Sequence, residues 1–237
     1  MSENESKQPD SEQISLLENV YEFIIPKYRE AHDLMVSMLD FSTANELRVV
    51  DLGSGLGGLS RQVFATFPRA TIFGIDNNEQ ILRRGREKLL NFKQQFLPFH
   101  RDLNQPSWSE DLESIDAVIS SFTLDYLPLE RHKQLVQEAF NILNPLGRWV
   151  SCEFFKAQDS RINRVFHEIE IQLVRKAMKN GEVSQKQIDQ LSQSTVLRQQ
   201  HHVCTLDTKI EWMRIAGFDK IEVPWKFLNL AIISAVR

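Results

Sequence analysis

The segment that does most to restrict the fold is Val49-Val50-Asp51-Leu52-Gly53-Ser54-Gly55-Leu56-Gly57-Gly58. The β-branched run from Leu47 to Leu52 reads as a buried strand that breaks into a glycine-rich turn. A helix is expected to follow, to about Phe67. Glycines at such a turn let the backbone approach a ligand closely, and the helix N-terminus beyond it favours a negatively charged group. Strand, turn and helix in this order call for a chain that alternates the two kinds of element, with the turn at the carboxyl end of a strand.

The rest of the sequence keeps that alternation. Residues 14 to 40 place apolar side chains at near-helical spacing, and Pro26 divides them into two helices. Thr71 to Ile75 is a second buried strand ending at Asp76, where Asn77 or Asn78 can cap a helix that runs through residues 81–92. Further strands are expected at Phe96 to His100, Ile115 to Ser121 and Gly147 to Phe155, with an amphipathic helix opening at Pro128 and Glu130. Residues 157–197 read as a polar helical insertion after the fifth strand. A helix from Asp207 to Ala216 then stops at Gly217, and two apolar strands at 219–225 and 228–236 have no room for a crossover helix between them. They pair as an antiparallel hairpin or lie apart. The expected fold class is α/β: a Rossmann-like, mostly parallel sheet with a C-terminal antiparallel hairpin and N-terminal helices. Its domain organisation is a disordered tail at 1–13 and one domain over 14–237.

Composition narrows the function classes. A net charge of -4 with 25% charged residues gives no global drive toward nucleic acid or anionic membrane. Cys152 and Cys204 stand far apart without ligand spacing, so neither a disulfide framework nor a metal site is expected. No apolar run approaches a membrane span, and the polar start lacks a secretory pattern, which fits a cytoplasmic protein. The run Arg83, Arg84, Arg86 and Lys88 reads as a solvated helix face.

Gly53, Gly55 and Gly58 also satisfy the spacing of dinucleotide-binding turns, so a nicotinamide enzyme competes. Asp51 decides against it, because a carboxylate two residues before the first glycine repels incoming phosphates. S-adenosylmethionine has no phosphate. Its ammonium and sulfonium favour an acidic neighbour, and its carboxylate suits the helix N-terminus. Asp76 is placed to accept from the ribose hydroxyls, and Asp102 from the adenine amino group.

At these residues, together with Leu143-Asn144-Pro145-Leu146-Gly147, the chain resembles the class I S-adenosylmethionine-dependent methyltransferases. A narrower similarity is to the bacterial family that carboxymethylates the wobble uridine of tRNA. It is carried by Ile25-Pro26-Lys27-Tyr28, Phe122-Thr123-Leu124 with Leu127, and Ser184-Gln185-Lys186. The resemblance implies that Tyr28 reaches the methionine end of the cofactor. That family has an arginine after the Ser-Gln-Lys triplet to grip a carboxylated cofactor, and this chain has Gln187. A neutral amide forms no charge-assisted clamp, so ordinary S-adenosylmethionine is expected.

The cofactor set is then Tyr28, Asp51, Gly53, Ser54, Gly55, Gly57, Asp76, Asn77, Asp102, Leu103 and Ser121, with Tyr126 and Gln187 on the substrate side. Methyl transfer needs alignment more than a dedicated base. If the acceptor is a hydroxyl, His201, His202 and His167 are the candidate bases. The expected activity is methylation of an O or N atom of a small molecule. A tRNA-modifying enzyme and a non-catalytic cofactor-binding protein stand as alternatives, and a homodimer is compatible with either.

Overall fold

The computed structural model describes residue 20, residues 23–193 and residues 202–237. The N-terminal tail and His201 lie outside them, as does most of the first expected helix. The elements are α1 (Tyr28–Ser37), β1 (Arg48–Leu52), α2 (Gly58–Thr66), β2 (Thr71–Asp76), α3 (Glu79–Lys88), β3 (Phe96–His100), β4 (Ile115–Ser121) and α4 (Leu129–Ile142). They continue with β5 (Leu143–Phe154), α5 (Ser160–Lys179), α6 (Gln185–Gln193), α7 (Leu206–Ala216), β6 (Asp219–Phe227) and β7 (Leu230–Val236).

Seven strands form one sheet in the order β3-β2-β1-β4-β5-β7-β6. The first five run parallel, and β7 pairs antiparallel with both β5 and β6. The short link at Leu228 and Asn229 makes β6 and β7 the expected hairpin. Its second strand, β7, fills the place beside β5, leaving β6 at the edge. Order reverses between β1 and β4, and the crevice at that switch point is where open α/β sheets bind ligands.

Each face of the sheet buries its own apolar layer. Val50, Leu52, Val118, Trp149 and Ile233 pack toward α4 and α7, while Val49, Ile72, Ile119, Val150 and Ile232 pack toward α1 and α2. Strands covered on both sides read as continuous apolar runs, which is why β1, β2 and β4 were legible. β5 departs from expectation by starting at Leu143 rather than Gly147. Leu143 pairs with Ile115 across an irregularity in register, and Asp116 ties the segment down by accepting from Asn144 Nδ2 at 2.8 Å and Arg48 N at 2.8 Å. The turn-like Asn-Pro-Leu-Gly forms the bulge between the Leu143 and Arg148 pairings.

A buried polar chain lies between β5, α4 and α7. Trp149 Nε1 donates to Ser151 Oγ at 2.9 Å, and Ser151 Oγ donates to Glu153 Oε1 at 2.5 Å. Glu153 pairs with Lys209 Nζ at 3.0 Å, and Lys209 also meets His132 Nε2. All three charged or titratable members are at most 2% exposed. Burial alone would raise the Glu153 carboxyl, but Lys209 and His132 hold it far below the usual carboxylate range. Asp125, which acts on His132 through its charge, belongs to the short 3-10 turn Leu124–Tyr126 that presents Tyr126 to the crevice.

Candidate functional site

A cleft of about 670 Å³ opens at the carboxyl ends of β1, β2, β3 and β4. Every residue of the expected cofactor set lines it, from Tyr28 on α1 to Ser121 on β4, and Tyr126 lines it too. The glycine turn forms its floor. Gly53, Gly55 and Gly57 all have positive φ, at 68°, 54° and 75°. A Cβ on Gly53 would overlap Thr123, and one on Gly57 would come within 2.7 Å of Leu89. At Gly55 a Cβ would meet only Gly53 O, at an ordinary 3.8 Å, among the described residues. The turn therefore leaves room for a ligand where it matters and packs against its own loops elsewhere.

Asp76 fixes this turn to the second strand. Its carboxylate accepts from Gly55 N at 3.1 Å and from Asn78 N at 2.9 Å, while Asn78 caps α3 by accepting from Ile81 N. Asp51 is 1% exposed, and Ser60 Oγ donates to it at 2.6 Å. Burial pushes its carboxyl up to about 7, the Ser60 bond opposes this, and the Asp76 charge adds to it. Asp102 accepts from Asn104 N and Nδ2, both at 2.9 Å. Its loop is pinned from behind by Arg131, whose Nε donates to Leu103 O at 2.7 Å and whose guanidinium makes a two-pronged pair with Glu138. Nothing in the local sequence marked Arg131 as the support of that loop.

The fit to a sulfonium cofactor rests on observable chemistry. Three aspartates line one wall, a helix N-terminus follows the turn, and the buried Ser54 hydroxyl has no hydrogen-bond partner among the described residues. Such a wall suits a cation with ribose hydroxyls and one carboxylate, and it repels a pyrophosphate.

The other end is aromatic. Tyr28 and Phe122 face each other with ring centroids 5.6 Å apart, and His32 sits 4.2 Å from Tyr28. Phe122 has a φ of 54°, a strained value for a bulky residue and of the kind that clusters at functional sites.

Three of the expected residues lie off this cleft. His167 is an exposed residue of α5, its side chain 73% accessible, away from the cleft. His202 is also off the cleft lining, and its backbone N–H donates to Asp125 O. Gln187 lies outside the cleft as well, because its Oε1 accepts from Ser184 N and Oγ and so closes the first turn of α6. The cleft histidine is His32, which sequence reasoning missed.

Residues 49–147 match the methyltransferase domain family. The expected class, an enzyme that uses S-adenosylmethionine, is borne out. Over nearly the whole chain there is a further similarity to the carboxy-S-adenosyl-L-methionine synthase of Nautilia profundicola. The two are 23% identical over 231 residues, covering 96% of this chain and 93% of that relative. Among solved structures, magnesium protoporphyrin IX methyltransferase from Synechocystis, with bound SAH, superposes with a TM-score of 0.63 at 18% identity, over 92% of this chain and 87% of that one. An O-methyltransferase family protein from Burkholderia thailandensis gives 0.64 at 14% identity over 91% of this chain, which spans only 58% of that longer protein. Both bear out the fold. The Nautilia relative carries the name of a synthase of the carboxylated cofactor, not of a tRNA-modifying enzyme. Among the described residues no helix is long and apolar enough to cross a membrane.

Proposed function

We infer that this chain transfers the methyl group of S-adenosylmethionine to an O or N atom of a small-molecule acceptor. The observation that carries this reading is the two-ended cleft. Its acidic wall, Asp51, Asp76 and Asp102, suits the cofactor, and the space continues to the aromatic end at Tyr28 and Phe122. A volume of about 670 Å³ lies in the range of small-molecule sites. In this assignment Asp76 takes the ribose hydroxyls and Asp102 the adenine amino group. Tyr28, Asp51 and the turn from Gly53 to Gly57 take the methionine part. The protein's own work is to align the acceptor and to exclude water from the reacting pair.

Synthesis of carboxy-S-adenosylmethionine is the second reading, favoured by the name of the Nautilia relative. It shares the cofactor and differs in the second reactant. A tRNA substrate is the third, and the mix of Arg29, Arg61 and Lys88 with three aspartates along the lining gives it no basic funnel.

Calorimetry separates the cofactor classes. S-adenosylmethionine should bind and NAD should not; tighter binding of NAD would overturn the assignment. Because the free Asp51 carboxyl titrates near 7 and a cationic ligand favours its charged form, binding should release a proton near neutrality. Affinity should then fall by up to ~10-fold per pH unit below that point. An affinity flat between pH 6 and 8 would remove Asp51 from the site. A product screen with labelled S-adenosylmethionine, small hydroxyl and amine compounds, carboxylic acids and tRNA then distinguishes the three acceptor readings.

A further inference from the structure

The aromatic end of the cleft contains one polar side chain without a hydrogen bond among the described residues. His32 is 1% exposed and lines the cleft, yet neither Nδ1 nor Nε2 has a hydrogen-bond partner among the described residues. An orphaned buried imidazole is a liability that an apolar side chain would avoid, so its retention points to a ligand that completes it. Its neighbours on α1 give no other reason for it, since the buried residues there, Ala31, Met35 and Val36, are apolar.

The ring is also held in place. It lies 4.2 Å from Tyr28 and 6.0 Å from Phe122, nearly parallel to the latter at 24°. Phe122 follows β4, on the opposite side of β1 from Asp76, so His32 stands at the acceptor end rather than the nucleoside end. Among the described residues no carboxylate is paired with it, and burial lowers its pKa to about 4. At neutral pH the imidazole therefore offers one N–H and one bare lone pair. A protonated amine would find no counter-charge on this ring, whereas a hydroxyl can donate to the bare nitrogen.

We propose that His32 is the base of an acceptor subsite for a small, uncharged molecule bearing a hydroxyl group, bounded on one side by the stacked rings of Tyr28 and Phe122. This rests on the methyltransferase reading and adds to it a substrate class and a catalytic residue. The hydroxyl proton passes to the bare imidazole nitrogen as an oxygen lone pair forms the bond to the methyl carbon. The carbon–sulfur bond breaks, and its electrons stay on sulfur. The products are a methyl ether, the neutral thioether S-adenosylhomocysteine and an imidazolium, which gives its proton to water when the ether leaves.

The test uses the full chain saturated with S-adenosylhomocysteine, with phenol as the probe and toluene as its control, read by the side-chain nitrogen resonances of His32. Phenol should shift them and toluene should not. His32→Leu should keep its affinity for S-adenosylhomocysteine, melt at a higher temperature because the orphaned group is gone, and bind phenol no better than toluene. With any hydroxylated aromatic that the unmodified protein methylates, His32→Gln should lower the rate by roughly 10²–10⁴-fold without weakening cofactor binding. Equal responses to phenol and toluene in the unmodified protein would overturn the subsite, as would undiminished discrimination in His32→Leu. The methyltransferase reading fails at a separate point, if S-adenosylhomocysteine does not bind the unmodified protein before any probe is added.

Discussion

Replacing Lys209 by alanine should cost about 3–5 kcal/mol of folding stability, the range for removing one partner of a buried ion pair. Glu153 is 1% exposed and would keep its charge with only His132 and Ser151 beside it. The control is Lys209→Met with Glu153→Gln, which removes both charges and should recover much of the loss, because a desolvated pair is worth little net. Urea midpoints of the three proteins decide it, and a loss under 1 kcal/mol in the single variant would mean that the cluster is already relaxed by water.

The same cluster sets the response to acid. The Glu153 carboxyl titrates below its ordinary value, so the stability it contributes is present above the unfolded-state pKa and lost as the pH falls through the folded one. His132 is held below 6.5, chiefly by burial and then by the Lys209 charge, so beneath that pH the unfolded chain takes up a proton that the folded one refuses. The His132 shift makes stability decline on acidification from near pH 6.5 downward, and the Glu153 shift adds to the decline only below the ordinary carboxyl value of 4.5. Denaturation midpoints that stayed constant from pH 7 to 4 would contradict this.

Asp76→Ala should weaken binding of S-adenosylmethionine by about 1.5–3 kcal/mol, the loss expected for hydrogen bonds to a charged group. The side chain also serves the turn itself by accepting from Gly55 N and Asn78 N, so the alanine variant should be less stable as well. Comparing it with Asp76→Asn, which keeps the size and one acceptor oxygen, separates ligand contact from support of the turn. If the alanine variant binds the cofactor as tightly as the parent, Asp76 only holds the turn, and its assignment to the ribose is wrong.

The parts of this molecule that were legible in the sequence are those fixed by local pattern. β3 and β4 fall where their apolar runs end, and the glycine turn with Asp51, Asp76 and Asp102 converges on one cleft because each closes a neighbouring parallel strand. His32 was invisible because a single histidine on an amphipathic helix looks alike whether it faces water or Phe122. Only the docking of α1 against the end of β4 distinguishes the two. Gln187 and His167 lie off the cleft for the complementary reason. Sequence similarity at Ser184-Gln185-Lys186 does not say which way the next side chain turns, and here it turns back to cap its own helix. The role of Arg131 depends on a loop 28 residues away.

The place of β7 within the sheet bears on the birth of the protein. Of the seven strands it is the last to be synthesised, yet it is laced on both sides, to β5 at Arg148–Phe154 and to β6 at Asp219–Phe227. Until it leaves the ribosome, β5 presents a bare row of amides and carbonyls, the kind of open edge that recruits other chains. The half that carries the cofactor turn can assemble early, but the sheet closes only once synthesis has passed Val236. A nascent chain of this kind is thus at its most adhesive just before β7 emerges.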